Sequence, residues 1–166
     1  MKPKCFLVIT LLFLLSSCAF APVSRPDLSK YRGQFSRLQT FPVTVDEATR
    51  AAKETLEVMG WEVQTAVPKI GFVRSKTQTV PVPDFCDCGT WNGKEVRGDA
   101  EATLVVDLQP AASGKTEVEL VIECILNFKG KIWYGATTRR EIYACASKGF
   151  IENYFWTILS RKLEAQ

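Results

Sequence analysis

The chain has 166 residues, 46% of them hydrophobic and 23% charged, with 21 Lys+Arg, 18 Asp+Glu and no histidine. That length allows one globular domain, and the apolar fraction excludes wholesale disorder. A net charge of +3 with no basic run argues against nucleic acid as a partner, and the missing histidine removes Ser–His–Asp and Cys–His mechanisms and most catalytic zinc sites.

The N-terminus sets the compartment. Met1-Lys2-Pro3-Lys4 is basic, and Cys5 to Leu15 is an almost unbroken apolar run. A charged start followed by about 11 apolar residues has the proportions of a secretory signal. It is too short for a membrane span, which needs about 20. The run ends in Leu15-Ser16-Ser17-Cys18: an aliphatic residue, two small residues and a cysteine, in the place of an ordinary cleavage site. In this the chain resembles a bacterial lipoprotein. The resemblance implies a signal peptide over 1–17, cleavage before Cys18, diacylation of its thiol and acylation of the new amino group. Two or three acyl chains, at about 0.8 kcal/mol per buried CH2, hold a protein stably on a bilayer. Ala19, not Asp, follows the cysteine, which by the same resemblance favours the outer membrane, with the domain on its periplasmic face. Plain secretion with cleavage near Ala19 or Ala21 is the alternative. Loss of Lys2 and Lys4 leaves 19 basic against 18 acidic side chains, so charge does not steer partner choice.

Residues 18–42 read as lipid anchor and tether: Pro22, Pro26, Gly33 and Pro42 interrupt a stretch with no apolar period. A flexible segment of some 20 residues places the domain roughly 25 Å from the bilayer. The domain then spans 43–166. Thr44-Val45-Asp46-Glu47 fits a capping box, and Val45, Ala48, Ala51, Ala52, Leu56 and Met59 recur at helical spacing until Gly60. Trp61 to Thr65 alternates as a strand, Pro68-Lys69 turns, and Ile70 to Thr79 forms a second strand that Pro81 and Pro83 stop. Residues 80–99 read as irregular, apart from a hairpin turn at Asn92-Gly93. Two long strands follow. One shows Ala102, Leu104, Val106 and Leu108 on one face; the other shows Val118, Leu120, Ile122, Cys124, Leu126 and Phe128, with Glu117, Glu119 and Glu123 opposite. The stretch 131–145 favours a strand. A closing helix runs from about Ser147 to Lys162, with an apolar stripe of Phe150, Ile151, Tyr154, Phe155, Ile158 and Leu159. The expected fold is α+β: an antiparallel sheet of four to five strands with two helices packed on one face.

Gly60-Trp61-Glu62-Val63, a turn and Gly71-Phe72-Val73-Arg74-Ser75 behind the capped helix resemble the small α+β domains of bacterial outer-membrane lipoproteins. These include uncharacterised families and, more loosely, lipoprotein C of the β-barrel assembly machinery. The resemblance bears on fold alone and carries no functional residue.

Cys86, Cys88, Cys124 and Cys145 remain after the signal, and an even number in an exported chain implies two disulfides. C-x-C could supply two thiolates to a metal, but the missing histidine, the isolation of the other two cysteines and an oxidising compartment disfavour that, and a redox pair is more often C-x-x-C. Cys86 and Cys88 close poorly on each other. The expected bridges are Cys88–Cys145 and Cys86–Cys124; 86–145 with 88–124 is barely separated from them by spacing. Trp133 and Trp156 lie off the periodic runs and are the candidates for surface contact. No acid/base pair, phosphate loop or nucleophile motif is present, so the sequence implies no catalytic residue, no metal and no cofactor. The expectation is a membrane-anchored, non-catalytic binding or scaffold module with an envelope protein as partner. The alternative is a carrier of a lipid or other apolar ligand, with its cavity between sheet and closing helix.

Overall fold

The computed structural model describes residues 24–31, 33–91, 93–131 and 138–165. Its first helix, α1 (Val45–Val58), begins as the sequence dictates: the Thr44 hydroxyl accepts from the Glu47 amide, and the Glu47 carboxylate accepts from the Thr44 amide. The Thr44 amide and then the Thr44 hydroxyl, both donating to that carboxylate, favour its charged form and hold its pKa below the usual range. Ala48, Ala51, Ala52 and Leu56 turn to the core, and Gly60 follows with φ 82°.

The sheet is antiparallel and has eight strands, not four to five. Its centre is the pair β8 (Asp99–Pro110) and β9 (Thr116–Lys131), in register from Glu101↔Ile125 to Pro110↔Thr116. On the β8 side lie β3 (Phe72–Ser75) and β4 (Gln78–Pro81), with β2 (Val63–Val67) beyond β3. The expected single strand over 70–79 is broken in two. The buried Ser75 hydroxyl accepts the Leu104 amide, while the Lys76 amide turns away to the Glu62 carbonyl. On the β9 side lie β10 (Thr138–Ser147) and, further along the same edge, β1 (Leu38–Phe41); β5 (Cys86–Asp87) pairs with β10. A separate hairpin joins β6 (Thr90–Trp91) to β7 (Lys94–Glu95). A third helix, α2 (Val82–Phe85), makes a single turn where an irregular loop was expected.

Alternation along β8 and β9 decides the layers. Ala102, Leu104, Val106, Leu108, Val118, Leu120 and Cys124 are buried, while Glu117, Glu119 and Glu123 lie on the other face. The closing helix α3 (Phe150–Glu164) packs against α1, and Lys162 reaches Glu54 across the pair at 2.9 Å. Phe155, Leu159, Leu56 and the inward sheet residues form one core.

Residues 24–31 and 33–41, expected within the tether, lie on this domain. A 3-10 turn (Leu28–Tyr31) leads to β1, whose Phe41 is 9% exposed. The Arg37 carbonyl accepts the Leu120 amide, so this strap joins the ladder one residue before β1 begins. Four residues of alternation beside a proline give no periodic signal to read. The strap also relocates the apolar stripe of α3. Ile151, Phe155, Trp156, Leu159 and Leu163 are buried, whereas Phe150 and Tyr154, expected in the stripe, are exposed.

Candidate functional site

The strap, the C-x-C segment and the start of α3 converge at one edge of the sheet. Alternation places Cys86 and Cys88 on one face and Asp87 on the other. Antiparallel pairing sets Cys86 opposite Ser147 and Asp87 opposite Ala146, which brings Cys88 beside Cys145, at a Cα–Cα distance of 4.3 Å. Cys145 in turn stands opposite Cys124 in the β9–β10 ladder. The two disulfides are Cys88–Cys145 and Cys86–Cys124, the latter spanning 6.8 Å between Cα atoms. All four of these sulfurs are thereby occupied, so none of the four cysteines among the described residues is a thiolate.

Asp87, between the two cysteines, is the latch of the strap. Its carboxylate accepts the Tyr31 hydroxyl at 2.8 Å and the Gly89 amide at 2.8 Å. Partial burial, and then the bond to Asp87, push the Tyr31 phenol up to about 12. Further back, Ser24 and Thr90 exchange backbone hydrogen bonds of 3.0 and 3.1 Å, and their hydroxyls lie 2.6 Å apart. The backbone passes so close here that a Cβ on Gly89 (φ +84°) would fall 2.0 Å from the Ser24 carbonyl oxygen.

The closing helix begins three residues later than the expected start near Ser147. Ser147 ends β10, and Gly149 is the N-cap in a left-handed conformation, φ 86°, with Phe35 of the strap against it. The Ser147 hydroxyl accepts the Gly149 amide and donates to Glu152 at 2.8 Å. Glu152 is 1% exposed. Burial raises its pKa, outweighing the hydrogen bonds from Ser147 and from its own amide and the charge of Arg37.

Trp156, a candidate for surface contact, is 5% exposed. Its indole donates to the Ser36 carbonyl at 2.7 Å, and its ring stacks on Phe41 of β1 and meets Phe155 edge-on. It lies off the stripe because it packs under the strap instead of facing the sheet. Cys18 and Trp133 lie outside the described residues. Among the described residues no group of three or more His, Cys, Asp or Glu could hold a metal ion. An open recess of about 510 Å³ is lined by Lys94, Glu95 and Arg97.

No family model matches the chain, and no curated protein matches it in sequence.

Proposed function

We propose that this chain is an envelope lipoprotein, anchored through acylated Cys18 to the periplasmic face of the outer membrane. Its α+β domain serves as a non-catalytic binding or scaffold module for another envelope protein. The observation that carries the reading is the pair of disulfides, which persist in oxidising compartments outside the cytosol. Beside it stands Leu15-Ser16-Ser17-Cys18 behind an apolar run. The polar groups gathered at the sheet edge are turned to structural work: Tyr31 and Asp87 hold the strap, and Ser147 and Glu152 fix the start of α3. The carrier reading calls for space between sheet and α3. Fully buried Phe155, Leu159 and Leu120 take up that position, so the module reading is preferred.

Replacement of Cys18 tests the anchor. The intact chain, expressed in a Gram-negative host, is expected to carry acyl mass on Cys18 and to sediment with outer membrane on a sucrose gradient. Cys18→Ala is expected to lose both. Unchanged mass and fractionation in the variant would sink the lipoprotein reading.

A further inference from the structure

The strap leaves little slack for an anchor. Ser24 is bonded to Thr90 through both backbone groups, and six peptide steps separate it from Cys18. Their full extension is about 20 Å. Acyl chains on Cys18 therefore keep the Ser24–Thr90 contact within that reach of the lipid.

The contact also marks one end of the domain. The Val96 amide donates to the Gly89 carbonyl, and Glu95 of the β6–β7 hairpin pairs with Lys148, just before α3, at 3.0 Å. Lys148 also donates to the Pro83 carbonyl, and the Val82 amide to that of Gly98, beside the start of β8. Hairpin, α2 and the first turn of α3 are thus tied together. The opposite end is the turn Pro68–Ile70, where the Leu108 amide donates to the Gly71 carbonyl. Nine steps of β8 from Asp99 to Leu108 hold the two ends about 30 Å apart.

The anchored end shows an aromatic surface. Phe150 and Tyr154, one turn apart on α3, are 62% and 49% exposed, and Phe85 of α2 meets the Phe150 ring edge-on at 5.6 Å. Lys94 and Arg97 are exposed on the neighbouring hairpin. The Tyr154 ring, with its phenol at one edge, favours the boundary between headgroups and acyl chains, the Phe150 ring adds apolar area beside it, and nearby cations suit anionic headgroups.

Resting on the anchoring reading above, we infer that this end of the domain is a lipid-contacting surface. Phe150 and Tyr154 sit in the headgroup layer of the membrane that holds Cys18, Lys94 and Arg97 face its phosphates, and the Ile70 end points away. The acyl chains supply retention; the aromatic surface fixes orientation. The domain's partner then approaches the far end or the flanks.

The test uses the full chain purified from a Gram-negative host, with one fluorescent amino acid in place of Tyr154, Lys94 or Ile70. It is reconstituted in vesicles of phosphatidylethanolamine and phosphatidylglycerol that carry a headgroup-linked nitroxide lipid. Quenching at positions 154 and 94 is expected to exceed that at 70 several-fold. Phe150→Ser with Tyr154→Ser is expected to bring quenching at 94 toward that at 70, with acylation and circular dichroism unchanged. An acylated chain quenched equally at all three positions, or most at 70, overturns the inference and leaves the anchor standing. Equal quenching with crosslinks between copies at 154 assigns the surface to a second copy and likewise overturns it. A chain without acyl mass on Cys18 overturns the inference together with the anchoring reading.

Discussion

The indole of Trp156 donates to the carbonyl of Ser36 at 2.7 Å, joining residues 120 apart in sequence. Around that bond the strap closes over α3: the Trp156 ring stacks on Phe41 at 6.4 Å, and the Phe35 ring lies against Gly149. The strap thus finishes the core of the closing helix, and it does so from the stretch that a sequence reading assigns to a linker.

Trp156→Phe keeps most of the packing and removes the donor. The Ser36 carbonyl then loses its partner in a partly buried place, a loss of about 1–3 kcal/mol. The free energy of unfolding from urea titration is expected to fall by that amount, with the midpoint moving to lower urea at unchanged slope. Limited proteolysis is expected to cut between 32 and 37 before it cuts anywhere in α1. A variant as stable and as resistant as the parent would show that the bond does not hold the strap.

The parts legible in the sequence are those with a local cause. The capping box announces α1, an apolar residue at every second position announces β8 and β9, and Asn92-Gly93 announces the hairpin. Of the expected strand over 131–145, residues 138–145 fall in β10 and Lys131 ends β9, while 132–137 lie outside the described residues. What was not legible depends on partners distant in the chain. The buried face of α3 is set by the strap above it as well as by the sheet below, so helical periodicity alone put Tyr154 inside and Trp156 outside. Register is the other hidden quantity. C-x-C implies that both cysteines share a face, but only the pairing of two-residue β5 with β10 decides that Cys88 meets Cys145.

The disulfides interlace, and this sets how their loss will combine. Separations of 38 and 57 residues correspond to about 4 kcal/mol each in the chain-entropy model. Once Cys86 is tied to Cys124, the path from 88 to 145 runs through that bridge, and the second loop is shorter. Together they contribute less than the sum. Cys88→Ala with Cys145→Ala is expected to leave a folded, destabilised domain. Removing all four approaches a typical total stability of about 5–15 kcal/mol and is expected to unfold it. Peptide mapping without reductant checks the connectivity, where an 86–145 or 88–124 peptide would contradict the register. Calorimetry checks the order of stabilities.

Glu152 gives the domain a pH response. Its pKa is raised above the ordinary 4.5 by burial, so the folded state holds the proton more tightly than the unfolded chain. The stabilisation from this group is complete below pH about 4.5 and is lost as pH rises through the raised folded value. Glu152→Gln retains an acceptor for the Ser147 hydroxyl and has no charge to bury. Its advantage over the parent is expected to be absent in acid and to appear toward neutral pH, in urea titrations compared at the two extremes. An advantage that does not change with pH would show that the carboxyl titrates alike in both states.

Gly89 tests where the strap is fastened. At φ +84° any side chain is strained by about 1–2 kcal/mol, and here a Cβ would also stand 2.0 Å from the Ser24 carbonyl oxygen. Backbone must move, and the free side is the strap. Gly33 has a similar φ of +79° with nothing within 4 Å, so Gly33→Ala carries the conformational strain without the collision. Both variants are expected to stay folded, since Tyr31–Asp87, Trp156–Ser36 and β1 remain. Only Gly89→Ala is expected to speed hydrogen exchange at the Thr90 amide, whose acceptor is the Ser24 carbonyl. It also releases residues 24–30 as far as the Tyr31 latch, more than doubling the chain length between Cys18 and the domain. In vesicles, position 94 of that variant is then expected to move away from the nitroxide layer while Cys18 stays acylated. Equal exchange at Thr90 in the two variants would mean that the strap is not fastened at Ser24, and the limit of about 20 Å on the reach of the anchor would go with it.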